Sequence, residues 1–331
     1  MREEIDYHIE QSTDSDDDSC GEEDEMEVER NLERNDYRYN NLRHFPALFR
    51  YHTGIDLQLF ESVLFPSLQD FLNDRVGIFG PKHKLDPQSV LVMFLVWLRS
   101  GIPPQQFCGF FLIDHNTARR IIWEIVPTAL QIWKRHVKWI PLRLQESHLS
   151  EYLNVGFRKV VATVDATEIP VRRPIDRDKQ AVFYSGKSKQ HSVKGQILIQ
   201  PSTGLIMHAS AVYPGSIHDL TVFRMTGVAD IIRHGEKVLG DSGYQGMQHV
   251  VGALLPIKKP RNSSLSHDQK KFNFELSSRR VLVENVFSRL KKWMVMSHKW
   301  NGHLDDLNRL SKVFRICCCL VNITLQQGHI D

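Results

Sequence analysis

Residues 159–174, KVVATVDATEIPVRRP, decide the fold. Val160, Val161, Ala162, Thr163 and Val164 form an uninterrupted β-prone run, the pattern of a central strand covered on both faces. That strand is expected to end on Asp165. A carboxylate at the end of a buried strand is costly without a partner, so a basic side chain or a metal ion is required beside it. Arg172, Arg173 and Lys194 are the candidates for a simple ion pair. Asp219, Asp241 and Glu284 follow downstream, each where a strand or helix can bring it back to Asp165.

Working outward, residues 193–200 and 205–212 are two further strands around the turn Pro201-Ser202-Thr203-Gly204. A helix over 217–232, short strands at 237–240 and 254–258, a polar loop at 259–269, and helices over 277–296 and 307–325 complete the pattern. Three antiparallel strands followed by alternating helices and strands give the order of an α/β ribonuclease H-like domain, a mixed sheet flanked by helices, over about 155–327.

Upstream, residues 41–150 read as helical. Val90, Met93, Phe94, Trp97 and Leu98 recur at helical spacing, and Gly101, Pro103 and Pro104 stop that helix. A short segment, a turn at 112–115 and a longer helix over 116–134 follow. In that helix Ala118, Ile121, Ile122, Ile125 and Val126 face inward, while Asn116, Arg119 and Arg120 point outward near its N-terminus. This is the arrangement of a helix-turn-helix domain that touches DNA, and also of an ordinary helical bundle.

Charge is distributed unevenly. Residues 1–34 hold 15 of the 39 acids but 3 of the 42 Lys+Arg, leaving 39 bases against 24 acids in the remainder. A body that basic suits a polyanion such as nucleic acid. Residues 1–40, with DSDDDS and EEDEMEVE blocks, cannot bury enough apolar surface to offset ordering and are expected to be a disordered acidic tail. The five cysteines give neither a CxxC pair nor a disulfide framework, which fits buried thiols in a reducing compartment. Neither a secretory signal nor a run near the roughly 20 apolar residues of a membrane span is evident, so a soluble intracellular chain is expected.

The acids carry the chemistry. Asp241 lies in GDSGYQG, where glycines permit close backbone approach. Glu284 lies in RRVLVENVFSRLKKW, whose core stripe is Val283, Val286, Phe287, Leu290 and Met294; Arg280, Glu284, Ser288 and Lys291 share another face. An Arg280–Glu284 surface pair is the plainer reading there. Asp219 stands three residues after Ser216, the spacing of a capping box, so it can cap a helix, contact a metal, or both. Carboxylates without Cys or HExxH ligands favour Mg²⁺ or Mn²⁺ over zinc. Two such ions can activate water or a 3′-hydroxyl and stabilise the leaving oxygen in phosphodiester cleavage.

The ordered series DATE, YSGKSKQHSVKGQ, YPGSIHDLTVF, LGDSGYQG, LPIKKP and RVLVENVFSRLK, within residues 80–327, resembles the DDE-type transposases of the PIF/Harbinger superfamily and their domesticated nuclease relatives. The resemblance implies a ribonuclease H-like core with a catalytic triad at Asp165, Asp241 and Glu284. It adds Asp219 to the metal site and places Lys187, Lys189, Lys194, Arg280 and Lys291 in the basic motifs around it. Arg280, Glu284 and Lys291 also look like the signature helix of related bacterial transposases, whose upstream Tyr is replaced here by Ser277. A Myb-like DNA-binding partner and a nuclear location are implied by the resemblance alone, and a homo-oligomer is left open. Two rivals remain: a domesticated descendant that binds DNA or chromatin without cutting, and a ribonuclease.

Overall fold

The computed structural model describes residues 36–75, 85–145, 157, 159–261 and 263–328. Residues 1–35 of the expected acidic tail and most of the expected boundary near residue 150 lie outside these residues. Asp36 and Tyr39, at the end of that expected tail, are instead buried against the helical half.

Helices α1 (Pro46–Thr53), α2 (Phe65–Arg75), α3 (Pro87–Ser100) and α4 (His115–Trp133) make up most of the N-terminal half. Asp86 caps α3 by accepting from the Ser89 N–H, and Ser89 through Leu98 are all buried. A helix apolar on every side is a core helix, and α1, α2 and α4 pack around it. Asp114 caps α4 by accepting from the N–H groups of Asn116 and Thr117. The inward residues Ala118, Ile121, Ile122, Ile125 and Val126 are buried as their spacing requires.

The second half is built on a mixed sheet of β1 (Val160–Pro170), β2 (Tyr184–Ser185), β3 (Gln190–Ile199), β4 (Ile206–Pro214), β5 (Lys237–Leu239) and β6 (Ala253–Leu254). β1 is central: β3 runs antiparallel on one side, with β2 and β4 paired to β3, and β5 then β6 run parallel on the other. Helices α5 (Arg177–Phe183), α6 (Asp219–Met225), α7 (His267–Lys291) and α8 (Leu307–Gln326) flank it. This mixed sheet with flanking helices is compatible with a ribonuclease H-like α/β domain.

The alternation along β1 and β3 sorts their side chains onto two faces. Ile169, Val193, Ile197 and Ile199 join a cluster with Val283, Val286 and Leu290 of α7 and the apolar face of α8. Ala162, Val164 and Leu198 pack instead with Phe223, Val238, Tyr244 and Met247. The first cluster continues into α3 and α4, so the helical half shares its core with one face of the sheet. Asn322 of α8 fastens that junction: its amide accepts from the Ile206 N–H at 2.8 Å and donates to the carbonyls of Ile206 and His136, both at 2.7 Å.

Several expectations change in detail. The strand expected over 254–258 is only Ala253–Leu254, and the helix expected to reach 296 ends at Lys291, with Met294 in a separate 3₁₀ turn. Asp165 does not end its strand, because β1 runs on to Pro170; what ends is the parallel pairing with β5, at Thr163 and Leu239. The polar stretch before α7 is not all loop, since α7 begins at His267 with a full capping box in which Ser266 accepts from the Gln269 N–H and Gln269 answers to the Ser266 N–H. The helix expected over 217–232 is α6 followed by a separate 3₁₀ turn at Val228–Ile231.

Candidate functional site

Past the end of the β1–β5 pairing, the sheet opens into a cleft of about 430 Å³. Asp165, Asp219, Asp241 and Glu284 all line it, and they arrive from β1, the start of α6, the turn after β5 and the middle of α7. Lys187, Lys194, Arg280 and Lys291 line it as well. Lys189 is exposed on the neighbouring turn with a positive φ of 54° and is not among the lining residues.

Asp165 is only 7% exposed. Its carboxylate accepts from the Ala166 N–H at 2.8 Å and from Arg280 Nη2 at 3.2 Å. Burial pushes this carboxyl above the usual range; the Ala166 N–H and Arg280 oppose the rise, and the charge of Asp241 adds to it. The ion-pair partner is therefore Arg280 from α7, whereas Arg173 bonds Gln180 and Lys194 bonds Asp219.

Asp219 does not form the capping box its spacing allowed. The N-cap of α6 is His218, without a side-chain cap, and Ser216 donates its hydroxyl to the Val182 carbonyl. The Asp219 carboxylate is turned into the cleft, where it accepts from Lys194 Nζ at 2.8 Å. Asp241 accepts from the Gly243 N–H at 2.8 Å. A Cβ at Gly243 would meet Asp219 Oδ2 at 2.8 Å and Asp241 Oδ1 at 3.0 Å, so only glycine lets these two carboxylates close over the turn.

Two features beneath and beside the acids escaped the sequence reading. Tyr244 is fully buried, accepts from Gln196 Nε2 at 2.9 Å, and lies within the fields of Asp165, Asp219 and Asp241. Burial, then those charges, drive its phenol far above the ordinary range, so it stays protonated. Gln196 also donates to the Asp219 carbonyl at 3.2 Å, tying this floor to the start of α6. Beside it, Glu168 accepts from the hydroxyls of Ser185, Ser188 and Ser192. Burial alone would raise the Glu168 carboxyl, but the three hydroxyls and Lys194 bring it below the usual range. The signal was present: Glu168 closes DATE, and the three serines stand in YSGKSKQHS.

Asn116, Arg119 and Arg120 are exposed on the first turns of α4 and do not line the acid cleft. Arg119 instead borders a separate recess with Trp123 and Trp300.

A family model described as DDE superfamily endonuclease matches residues 164–322, the span that carries all four acids. Over this span, just under half of the chain, the sequence is similar to DDE endonuclease domains. The relatives agree. The chain is 34% identical over 158 residues to a probable transposase for insertion sequence element IS702 from Microchaete diplosiphon, covering 46% of this chain and 54% of that protein. It is 24% identical over 228 residues to a protein ALP1-like of Arabidopsis thaliana, covering 65% and 55%. A putative transposase for insertion sequence element IS112 from Streptomyces albus G is 24% identical over 215 residues, covering 64% and 71%. The chain thus spans about half the length of the first two. No solved structure matches.

The cleft offers hard oxygen donors from Asp165, Asp219, Asp241 and Glu284, the chemistry suited to Mg²⁺ or Mn²⁺. As placed, two of those acids are held by Arg280 and Lys194, and no group of three or more His, Cys, Asp or Glu among the described residues is gathered tightly enough to hold an ion. The donor set therefore fits a divalent cation in type, with Arg280 and Lys194 as the side chains that must yield. Among the described residues no helix is long and apolar enough to cross a membrane.

Proposed function

We propose that this chain is a divalent-metal-dependent DNA nuclease of the transposase type, of the Harbinger kind, working on a ribonuclease H-like core. One observation carries the reading: five carboxylates, Glu168 among them, come from four separate segments to one open cleft that is also lined by four basic side chains. Carboxylates alone would repel a phosphodiester. Lysines and an arginine beside them bind it, and a cation between the acids removes the repulsion.

On this reading Asp165, Asp241 and Glu284 are the catalytic acids, and Asp219 joins them in holding Mg²⁺ or Mn²⁺. The bound ions supply Lewis acidity toward the phosphoryl oxygens and the attacking and leaving oxygens. The protein's own groups do the rest. Lys187 and Lys291 hold phosphate oxygens at the mouth of the cleft. Arg280 and Lys194, released from Asp165 and Asp219, turn to the phosphate. Tyr244, held protonated by burial, keeps the floor neutral and fixed beneath three aspartates.

The helical unit of 41–150 is then a helix-turn-helix-like DNA-contacting domain, with Asn116, Arg119 and Arg120 on its exposed helix, ahead of the nuclease domain at 155–327. Lys189 extends the basic track from the β2–β3 turn. A Myb-like partner, a homo-oligomer and a nuclear location belong to the same proposal. The basic body outside the acidic tail supports DNA as the substrate.

A second reading, a domesticated protein that binds DNA or chromatin without cutting, draws on the Arg280–Asp165 and Lys194–Asp219 pairs, which already satisfy two of the acids. Incubating the chain with duplex DNA and with RNA, in Mg²⁺ or in EDTA, separates the readings. Mg²⁺-dependent DNA cleavage is expected; binding without cleavage would establish the second reading, and cleavage of RNA alone would make the chain a ribonuclease.

A further inference from the structure

Away from the acid cleft, Arg50, Arg99, Arg289 and Lys292 converge on a recess of about 70 Å³ between the helical half and α7. That volume is several times the ~10–15 Å³ a single water needs. None of the described residues lining it is acidic. Arg99 is fixed in place, donating from Nη1 to the Lys292 carbonyl at 2.8 Å. The indole of Trp293 forms one wall. Gly54, at φ 73°, lets the chain pass close by, since a Cβ there would meet the Arg99 side chain at 3.1 Å and the Trp293 ring at 3.4 Å.

The ends of α1, α3 and α7 explain why cations gather here. Each of these helices carries basic residues in its last turn, and the three C-termini meet around the recess. Three helix ends supply roughly half a negative charge each, far short of four positive side chains. The shortfall is visible on Lys292, whose ammonium is pushed below its usual range by burial and then by Arg99, Arg289 and Arg50. Arg50 also pairs with Asp56 at 3.1 Å, so part of the positive charge around the recess is already balanced.

We infer that this recess is a second anion site that takes a phosphate group, and that the phosphate is one of the DNA backbone, gripped outside the acid cleft. The site rests on the proposed DNA substrate for its source but not for its chemistry. Arg99 supplies a preset fork, Arg289 and Lys292 close from α7, and the same helix presents Arg280, Glu284 and Lys291 to the acid cleft. One rigid helix thereby holds the duplex at two points and fixes its register over the carboxylates.

The test compares the full chain with Arg289→Gln/Lys292→Gln, and with Arg50→Gln in case the double substitution destabilises α7. In sodium pyrophosphate, against sodium chloride of equal ionic strength, the full chain should melt several degrees higher and both variants should lose that gain. With a 20-bp duplex, the slope of log affinity against log salt should become shallower by up to about one unit per lost phosphate contact. Absence of pyrophosphate stabilisation in the full chain, or its persistence in both variants, would overturn the site. Stabilisation that is lost in the variants while the DNA slope stays unchanged would keep the anion site and overturn DNA as its source. Neither arm requires cleavage, so failure of the nuclease reading stays distinguishable.

Discussion

Asp165 and Asp241 each stand two residues past Thr163 and Leu239, the last paired residues of the parallel strands β1 and β5. Residues at equal steps beyond a shared rung point the same way. The sheet itself therefore brings the two carboxylates together, and the charge of Asp241 contributes to keeping the Asp165 carboxyl raised. Arg280, bonded to Asp165 at 3.2 Å, offsets part of that repulsion.

Lys194 and Asp219 are both largely buried, with side chains 8% and 13% exposed, and bonded at 2.8 Å. Asp219→Asn removes the hydrogen-bonded counter-ion of a largely buried ammonium and leaves it only the more distant Glu168. The expected loss is about 3 kcal/mol, beyond the ~1 kcal/mol of a lost helix cap. Chemical denaturation measures it, and pairing the change with Lys194→Met should recover much of the loss. A loss near that of a cap, with no recovery in the pair, would show that the ion pair does little.

Glu168 is the hub of the β2–β3 turn that carries Lys187 and Lys189. Glu168→Ala strands the buried hydroxyls of Ser185 and Ser192 and should cost about 2 kcal/mol. Because the Glu168 carboxyl is held below its usual range, the stability it provides is complete above the ordinary carboxylate range. It is lost as pH falls through that range and below it. Denaturation of the wild type and Glu168→Ala at neutral and acid pH should show their difference shrinking in acid.

His208 provides a pH signature away from the cleft. Burial, then Arg315, lower its pKa from the ordinary 6.5 to about 4. The unfolded chain therefore takes up a proton first as pH falls, and stability declines between about 6.5 and 4. The integrated loss is at most about 3 kcal/mol. His208→Gln should flatten the melting temperature across that window; an unchanged profile would show that His208 is as accessible to protons folded as unfolded.

Much of this was legible in one sequence because the strongest signals are local. The β-prone run of β1, the Pro/Gly turn between β3 and β4 and the glycines around Asp241 each follow from side-chain shape over a few residues. The apolar spacing of α3, α4 and α8 reads in the same way. What failed was pairwise choice at long range. Arg280 lies 115 residues from Asp165, and nothing local ranks it above Arg172 or Lys194. Ser216 to Asp219 and Ser266 to Gln269 have the same capping spacing, yet only the second pair caps, because Asp219 is claimed by Lys194. Tyr244 and Gln196 were invisible as site residues, since a buried tyrosine reads as core until the fold places three aspartates around it.

The most direct test of the central claim is strand cleavage of duplex DNA in Mg²⁺ by Asp165→Asn, Asp241→Asn and Glu284→Gln beside the wild type. Each substitution keeps size and removes a charge that a divalent cation needs. Cleavage should fall by at least ~10²-fold in each single variant, and double variants should lose little more, because the acids act as one unit. DNA binding should persist or tighten, as repulsion between carboxylate and phosphate is relieved. Wild-type cleavage by Asp165→Asn, or cleavage undiminished when EDTA replaces Mg²⁺, would contradict the metal-dependent acidic site.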